Sequence, residues 1–138
     1  MRVLVDTLIW SLAFRRRPAD LSTADATLRQ QLQGLFADGR ASMIGPVRQE
    51  LLSGIRDEQQ FDRLRTYLRA FDEPRVEVYD YEEAAQMHNR CRTRGIAGSP
   101  IDFLICAVAQ RRDWSVFTVD PDFERYEKVL GLKLHSAG

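Results

Sequence analysis

Four acidic residues stand where unlike segments of the chain meet. Asp6 follows the short apolar run Val3-Leu4-Val5, Asp120 follows Val116-Phe117-Thr118-Val119, Asp102 falls just after Pro100, and Glu50 sits among Val47, Leu51, Gly54 and Ile55. Taken singly, most have a plain structural use: Asp6 and Asp120 as helix caps, Asp102 as the acid of a capping box. Glu50 resists that explanation, because helical spacing places it within an apolar arc, where a charge needs a partner. Carboxylates held within a few ångströms repel one another, so a cluster persists only if protons or a divalent cation neutralise it. Ligation by oxygen alone selects a hard, octahedral ion, magnesium or manganese. Such a set needs no histidine, cysteine or serine nucleophile, and its chemistry is attack of a metal-activated water on a phosphodiester. Asp6 and Asp102 would then anchor the ion, while Glu50 or Asp120 orients the water.

The other reactive residue types do not compete with this set. His88 and His135 lack metal-type spacing, which sets zinc aside, and they read as a helix-face residue and a residue near the terminus. Cys91 and Cys106 form no Cys-x-x-Cys pair and no disulfide framework, consistent with a reducing cytoplasm. Cys106 lies one helical turn beyond Asp102 and reads as a small packed residue, not a reactive thiol.

The acids need elements that bring them together. Val3-Leu4-Val5 reads as a strand buried on both faces, and Val116 to Val119 as a second, with Pro121 as a first helical residue after it. Helices are expected over about Thr23 to Ala37, Val47 to Ile55, Gln59 to Phe71 and Tyr81 to Arg94, with a weaker strand near Arg75 to Val78. The helix from Pro100 to Arg112 is the clearest, because Ile101, Leu104, Ile105, Val108 and Ala109 make one apolar stripe and Ser99 can cap it. Helices alternating with short buried strands imply an open α/β parallel sheet, in which ligands gather beyond the carboxyl ends of the strands. Asp6, Asp120 and the helix start carrying Asp102 can all meet there.

The 138 residues suit one domain, 1–138, and 44% hydrophobic with 29% charged residues is a globular balance. The apolar stretch Val3 to Phe14 is interrupted by Asp6 and ends in Arg15-Arg16-Arg17, which fits neither a signal peptide nor a membrane span, so a cytoplasmic protein without membrane association is expected. The polar segment Arg15 to Asp25 reads as a mobile loop.

Four segments in order then resemble the acidic motifs of PIN domains, and most closely those of the VapC toxins of bacterial toxin-antitoxin pairs. They are Val-Leu-Val-Asp6-Thr7, Pro46-Val-Arg-Gln-Glu50-Leu-Leu-Ser-Gly54, Ser99-Pro-Ile-Asp102-Phe-Leu-Ile and Phe117-Thr118-Val-Asp120-Pro-Asp122-Phe123. The resemblance implies a three-layer PIN-like fold, a central mostly parallel sheet flanked by helices. It also implies magnesium or manganese dependence, endoribonuclease activity, inhibition by a cognate VapB-like antitoxin, and a homodimer. Thr7 and Thr118 match positions where a hydroxyl supports the site. Asp120 and Asp122 both stand at the last motif, and Asp120 is preferred because it directly ends the strand.

Net charge is zero, so RNA contact must come from local clusters. Arginine dominates, Lys128 and Lys133 being the only lysines, and Arg15, Arg16, Arg17 and Arg90, Arg92, Arg94 are candidate phosphate contacts, with Arg111 and Arg112 a weaker pair. The aromatics Phe61, Tyr67, Phe71, Tyr79, Tyr81 and Trp114 read as core packing and not as base-stacking platforms. Two alternatives stay open. One is a receiver-like phospho-acceptor signalling module, though neither lysine follows a convincing strand near Asp102. The other is a non-catalytic PIN-like regulator that keeps the acids for fold and partner binding. The RNA target is not encoded in any legible feature.

Overall fold

A computed structural model describes residues 1–14 and 18–135. Three parallel strands, β1 (Val3–Val5), β2 (Ala41–Ser42) and β3 (Ser115–Phe117), lie in the order β2-β1-β3. The register pairs Val3 with Ala41 and Ser115, and Val5 with Phe117. A strand with neighbours on both edges and helices on both faces has no solvent side, which is why three consecutive apolar residues suit it. Val3, Leu4 and Val5 are wholly buried, each worth about 1.5 to 3 kcal/mol of transfer free energy.

Seven α-helices flank the sheet among the described residues: α1 (Thr7–Phe14), α2 (Thr23–Ala37), α3 (Gly45–Leu52), α4 (Glu58–Leu68), α5 (Val78–Thr93), α6 (Pro100–Arg111) and α7 (Asp122–Leu130). One group joins α1 to α2 and α3, and α3 to α4; the other joins α5 to α6 and α7, with α6 lying on β1 and β3. The mixed α/β architecture with a parallel sheet is the one the alternating pattern implies. Ser99 caps α6, its Oγ accepting from the Asp102 N–H at 3.1 Å. The helix is more enclosed than a stripe requires, since every residue from Phe103 to Ala109 is buried. It is packed between the sheet and α5, and apolar all round for that reason.

The structure corrects several sequence-based expectations. No strand forms over 75–78. Asp72 makes an isolated parallel bridge with Ser42, Pro74 has no N–H to extend it, and the Glu77 N–H donates to Asp80 Oδ2 (2.8 Å), so that Val78 already opens α5. Helix α1 was hidden in the apolar run Val3 to Phe14. It begins immediately after β1, with the Ile9 and Trp10 N–H groups donating to the Asp6 carbonyl. The buried Trp10 indole then donates back to the Val5 carbonyl at 3.0 Å, tying helix to strand. Strand β3 stops at Phe117 instead of Val119, leaving Asp120 beyond it. Of the polar segment 15–25, Arg15 to Arg17 lie outside the described residues, Pro18–Asp20 form a short 3-10 turn and Thr23 opens α2. Finally, Tyr67, Tyr79 and Tyr81 are 62%, 65% and 55% exposed and do not pack in the core.

Buried charge is confined to two places. Besides Asp6, the only charged side chain in the buried class among the described residues is Asp80. Both of its oxygens are held by guanidinium groups, Oδ1 by Arg111 and Arg112 (2.8 Å each) and Oδ2 by Arg112 (3.0 Å). Hydrogen bonds from Arg112, the Glu77 amide and Arg111 outweigh the cost of burial and hold the Asp80 carboxyl well below the usual carboxylate range. This clamp ties the start of α5 to the end of α6. It gives Arg111 and Arg112 a structural use.

Candidate active site

Asp6 is placed by the abrupt change from β1 to α1. Its Oδ1 accepts from the Thr7 N–H (2.8 Å) and its Oδ2 from the Thr118 hydroxyl (2.9 Å). The residue is only 4% exposed. Burial pushes its carboxyl up to about 6, the Asp102 and Asp120 charges push the same way, and the hydrogen bonds from Thr118 and Thr7 oppose them.

Thr118 is the hinge of the site. Just after β3, its Oγ1 donates to Asp6 and accepts from the Asp120 N–H at 3.0 Å, so one hydroxyl sets both acids. The Asp120 carboxylate in turn accepts from the Asp122 N–H at 3.0 Å, in the turn leading to α7. Asp122 itself stands 3.7 Å from Arg125 across one turn of α7.

Asp102 enters from the first turn of α6. Its Oδ2 accepts a 2.8 Å hydrogen bond from the Tyr126 hydroxyl. Burial raises its pKa, as do the charges of Asp120 and Asp122, against hydrogen bonds from Tyr126 and Ser99. The buried phenol is likewise shifted upward, by burial and by Asp102, so it remains a neutral donor.

These side chains line one open cleft of about 720 Å³. Asp6, Asp102 and Asp120 lie on it together with Glu50 from α3. Glu50 is exposed, with Val47 and Leu51 forming the buried face of its helix. It therefore does not project into an apolar arc: α3 ends at Leu52, so Gly54 and Ile55 are not on the helix, and Val47 and Leu51 alone mark its buried face. Leu8, Pro46 and Ile101 supply apolar wall, and Gln49 and Ser53 supply polar groups. None of the described residues lining this cleft is an arginine, lysine or histidine. Among the described residues, no three His, Cys, Asp or Glu side chains stand as a ready-made ligand set. The acids share a wall and not a closed coordination sphere.

The PIN domain profile matches residues 3–129, nearly the full span that carries these elements. The chain belongs to the PIN domain family. Its fold is similar to a chain in the crystal structure of VapBC2 from Rickettsia felis bound to a DNA fragment from their promoter, at 17% identity and a TM-score of 0.77, covering 98% of each chain. It is also similar to a chain of a toxin-antitoxin complex from Klebsiella pneumoniae, at 17% identity and a TM-score of 0.73, over 99% of this chain and 98% of that one. A third likeness is to the crystal structure of FitAcB from Neisseria gonorrhoeae, at 19% identity and a TM-score of 0.72, over 98% and 97%.

In this PIN domain the arginine candidates lie away from the cleft or outside the described residues. Thr7 lines the cleft beside Asp6. Arg90 pairs with Glu83 (3.1 Å), and Arg92 contacts Asn89 (3.4 Å) and His88 (3.3 Å) on α5. With Arg94 they are not among the residues lining the cleft. Arg15, Arg16 and Arg17 lie outside the described residues. No helix of the described residues is long and apolar enough to cross a membrane. Cys106 is buried, and burial raises its thiol pKa far above the usual value, as suits a packed residue. Sequence reasoning missed Tyr126. Its signal was a tyrosine in the apolar stripe Phe123, Tyr126, Leu130, where a hydroxyl demands a buried partner.

Proposed function

We propose that this PIN domain, as a single unit over 1–138, is a metal-dependent endoribonuclease and the toxin of a type II toxin-antitoxin pair in the cytoplasm. One observation carries the reading: Asp6, Asp102 and Asp120 reach a single cleft from three different elements, and none of the described residues lining it is basic. Burial, and after it the neighbouring acids, shifts Asp6 and Asp102 upward, as at a site poised for chemistry. The donor set is carboxylate oxygen throughout, which fits magnesium or manganese.

Asp6 and Asp102 are the residues that would hold such an ion, with Asp120 and Glu50 completing the set. Asp120 is preferred over Asp122 because it lines the cleft, whereas Asp122 faces Arg125. A bound divalent ion supplies charge neutralisation for the phosphodiester and a lowered pKa for the attacking water. The chain's own residues do the rest. Thr118 and the Thr7 amide hold Asp6 in one orientation. Glu50, on the exposed wall, orients the water and accepts its proton, with Asp120 as the other candidate. Leu8, Pro46 and Ile101 offer apolar surface to a nucleoside, and an open cleft of this shape admits a single strand or a loop. Phosphate contacts are assigned to Arg15, Arg16, Arg17 and to Arg90, Arg92, Arg94, since guanidinium groups suit bidentate contact.

The structural likenesses to chains of VapBC and FitAcB complexes support a VapB-like antitoxin as the partner; a homodimer is the assembly that goes with the toxin reading. PIN family membership displaces the receiver-like alternative. The test is cleavage of single-stranded and looped RNA by the purified protein with Mg²⁺ or Mn²⁺, with excess chelator, and with Asp6→Ala, alongside growth on expression without a partner. Cleavage and growth arrest lost in chelator or in Asp6→Ala, respectively, support the reading. Cleavage unchanged in chelator overturns the metal mechanism, and no cleavage at all leaves the non-catalytic regulator.

A further inference from the structure

Helix α7 buries Phe123, Tyr126 and Leu130 at spacings of three and four residues, and a phenylalanine at the middle position would satisfy that stripe equally well. The hydroxyl of Tyr126 is therefore an added polar group in a wholly buried place, and it requires a partner. The partner is Asp102 Oδ2 at 2.8 Å, on a different helix and 24 residues away. The ring is not free to follow the carboxylate. It lies 4.8 Å from Phe103 and 5.1 Å from Phe123, centroid to centroid, and Phe103 stacks in turn on His88 of α5 at 4.7 Å.

Gly98 fits the same arrangement from the loop before α6. A Cβ there would stand 2.5 Å from Tyr126 Oη and 2.6 Å from the Phe103 ring, both impossible contacts. The Tyr126 hydroxyl thus occupies the space that any other residue at 98 would fill. The phenol oxygen is located by packed rings on one side and bare backbone on the other, and the carboxylate is located by the phenol.

We propose that Tyr126 is a positioning residue for Asp102, and that Gly98 keeps open the space its hydroxyl needs. The inference rests on the metal reading above and concerns how the carboxylate is prepared for an ion. An aspartate on an open cleft has two rotatable side-chain bonds, and freezing them on binding weakens affinity. A hydrogen bond from a rigid core group meets that cost when the protein folds, which is the role of outer partners around metal-binding carboxylates. A merely structural hydroxyl would affect stability and leave ion affinity alone.

The experiment is calorimetric titration of Mn²⁺ into the full chain without RNA, for wild type, Tyr126→Phe and Gly98→Ala, each first shown folded in chelator by its near-ultraviolet circular dichroism. Tyr126→Phe keeps the ring and removes only the donor; its Mn²⁺ affinity is expected to fall by about tenfold or more. Gly98→Ala keeps the phenol but forces its hydroxyl and the Phe103 ring to shift, and moves the affinity the same way. It decides the matter should Tyr126→Phe fail to fold. RNA cleavage by either variant should recover as Mn²⁺ is raised. A folded variant that binds Mn²⁺ as tightly as wild type overturns the inference while leaving the metal reading intact. Wild type that binds no Mn²⁺ overturns both.

Discussion

Thr118 and Asp6, 112 residues apart in the chain, are joined by a 2.9 Å hydrogen bond, and the same hydroxyl accepts the Asp120 amide. One oxygen thus couples the carboxyl ends of β1 and β3. Thr118→Val keeps the shape and removes the coupling. It should cost about 1 to 2 kcal/mol of stability, because Asp6 and the Asp120 amide both lose a partner. RNA cleavage should drop by about tenfold to a hundredfold. Urea denaturation and initial rates check the two effects; full activity in Thr118→Val would mean the hydroxyl supports the fold alone.

The raised carboxyl of Asp6 makes stability in chelator depend on pH with a definite sign. The folded protein holds that proton up to about 6, whereas the unfolded chain releases it near the ordinary value of 3.8. The folded state is therefore favoured below 3.8 and loses that advantage as pH climbs through about 6, by roughly 3 kcal/mol from this group. Asp102 is shifted the same way and adds to the fall, while Asp80, shifted downward, acts below the ordinary carboxylate range. Asp6→Asn should flatten much of the slope between pH 4 and pH 6 (about the two carboxyl values above). An unchanged slope in that variant would assign the effect elsewhere.

Asp102→Ala separates a helix-capping role from a metal-binding one. In chelator two changes oppose each other: repulsion with the neighbouring acids is relieved, and the buried Tyr126 hydroxyl loses its acceptor. The net change should lie within about 1 kcal/mol. Saturating Mn²⁺ then divides the pair, since wild type gains roughly 2.7 kcal/mol at a hundredfold excess over its dissociation constant and the variant far less. Denaturation curves that shift equally for both proteins, or for neither, would reduce Asp102 to a cap.

The Asp80 clamp should matter to stability and not to the cleft. Asp80→Ala strands two guanidinium groups in a partly buried position and should cost about 3 kcal/mol or more. The fraction that still folds should cleave RNA at the wild-type rate. A loss of activity exceeding the loss of folded protein would connect α5 to the cleft in a way the geometry does not anticipate.

Much of the architecture was legible because its signals are local. Val3 to Val5 and the stripe from Ile101 to Ala109 announce a buried strand and a buried helix, and their ends carry Asp6 and Asp102 to one cleft. Helix α1 was not legible, since Val3 to Phe14 is apolar but for Asp6, Thr7 and Ser11, and strand and helix periods cannot be separated in such a run. Residues 75–78 look like a strand by composition, but the hydrogen bond that the Glu77 amide donates to Asp80 starts a helix instead. Glu50 was assigned to an apolar arc that counted Gly54 and Ile55, but α3 ends at Leu52. Tyr67, Tyr79 and Tyr81 have core-like spacing yet lie in the open, because composition says which faces are apolar and not which of them find a partner. Tyr126 was hidden because its bond to Asp102 is a relation between two helices, visible only once they are packed.

The strand order has a consequence for how the molecule is made. β1 leaves the ribosome well before β3, yet its pairing along one edge waits for β3, and Asp6 waits for Thr118. A nascent chain still short of Phe117 holds a half-paired central strand and an acid without its hydroxyl donor. Pairing across so long a separation is also the slow part of folding. The cleft is thus completed only once β3 has been made, and a message truncated before β3 yields a chain with no assembled site.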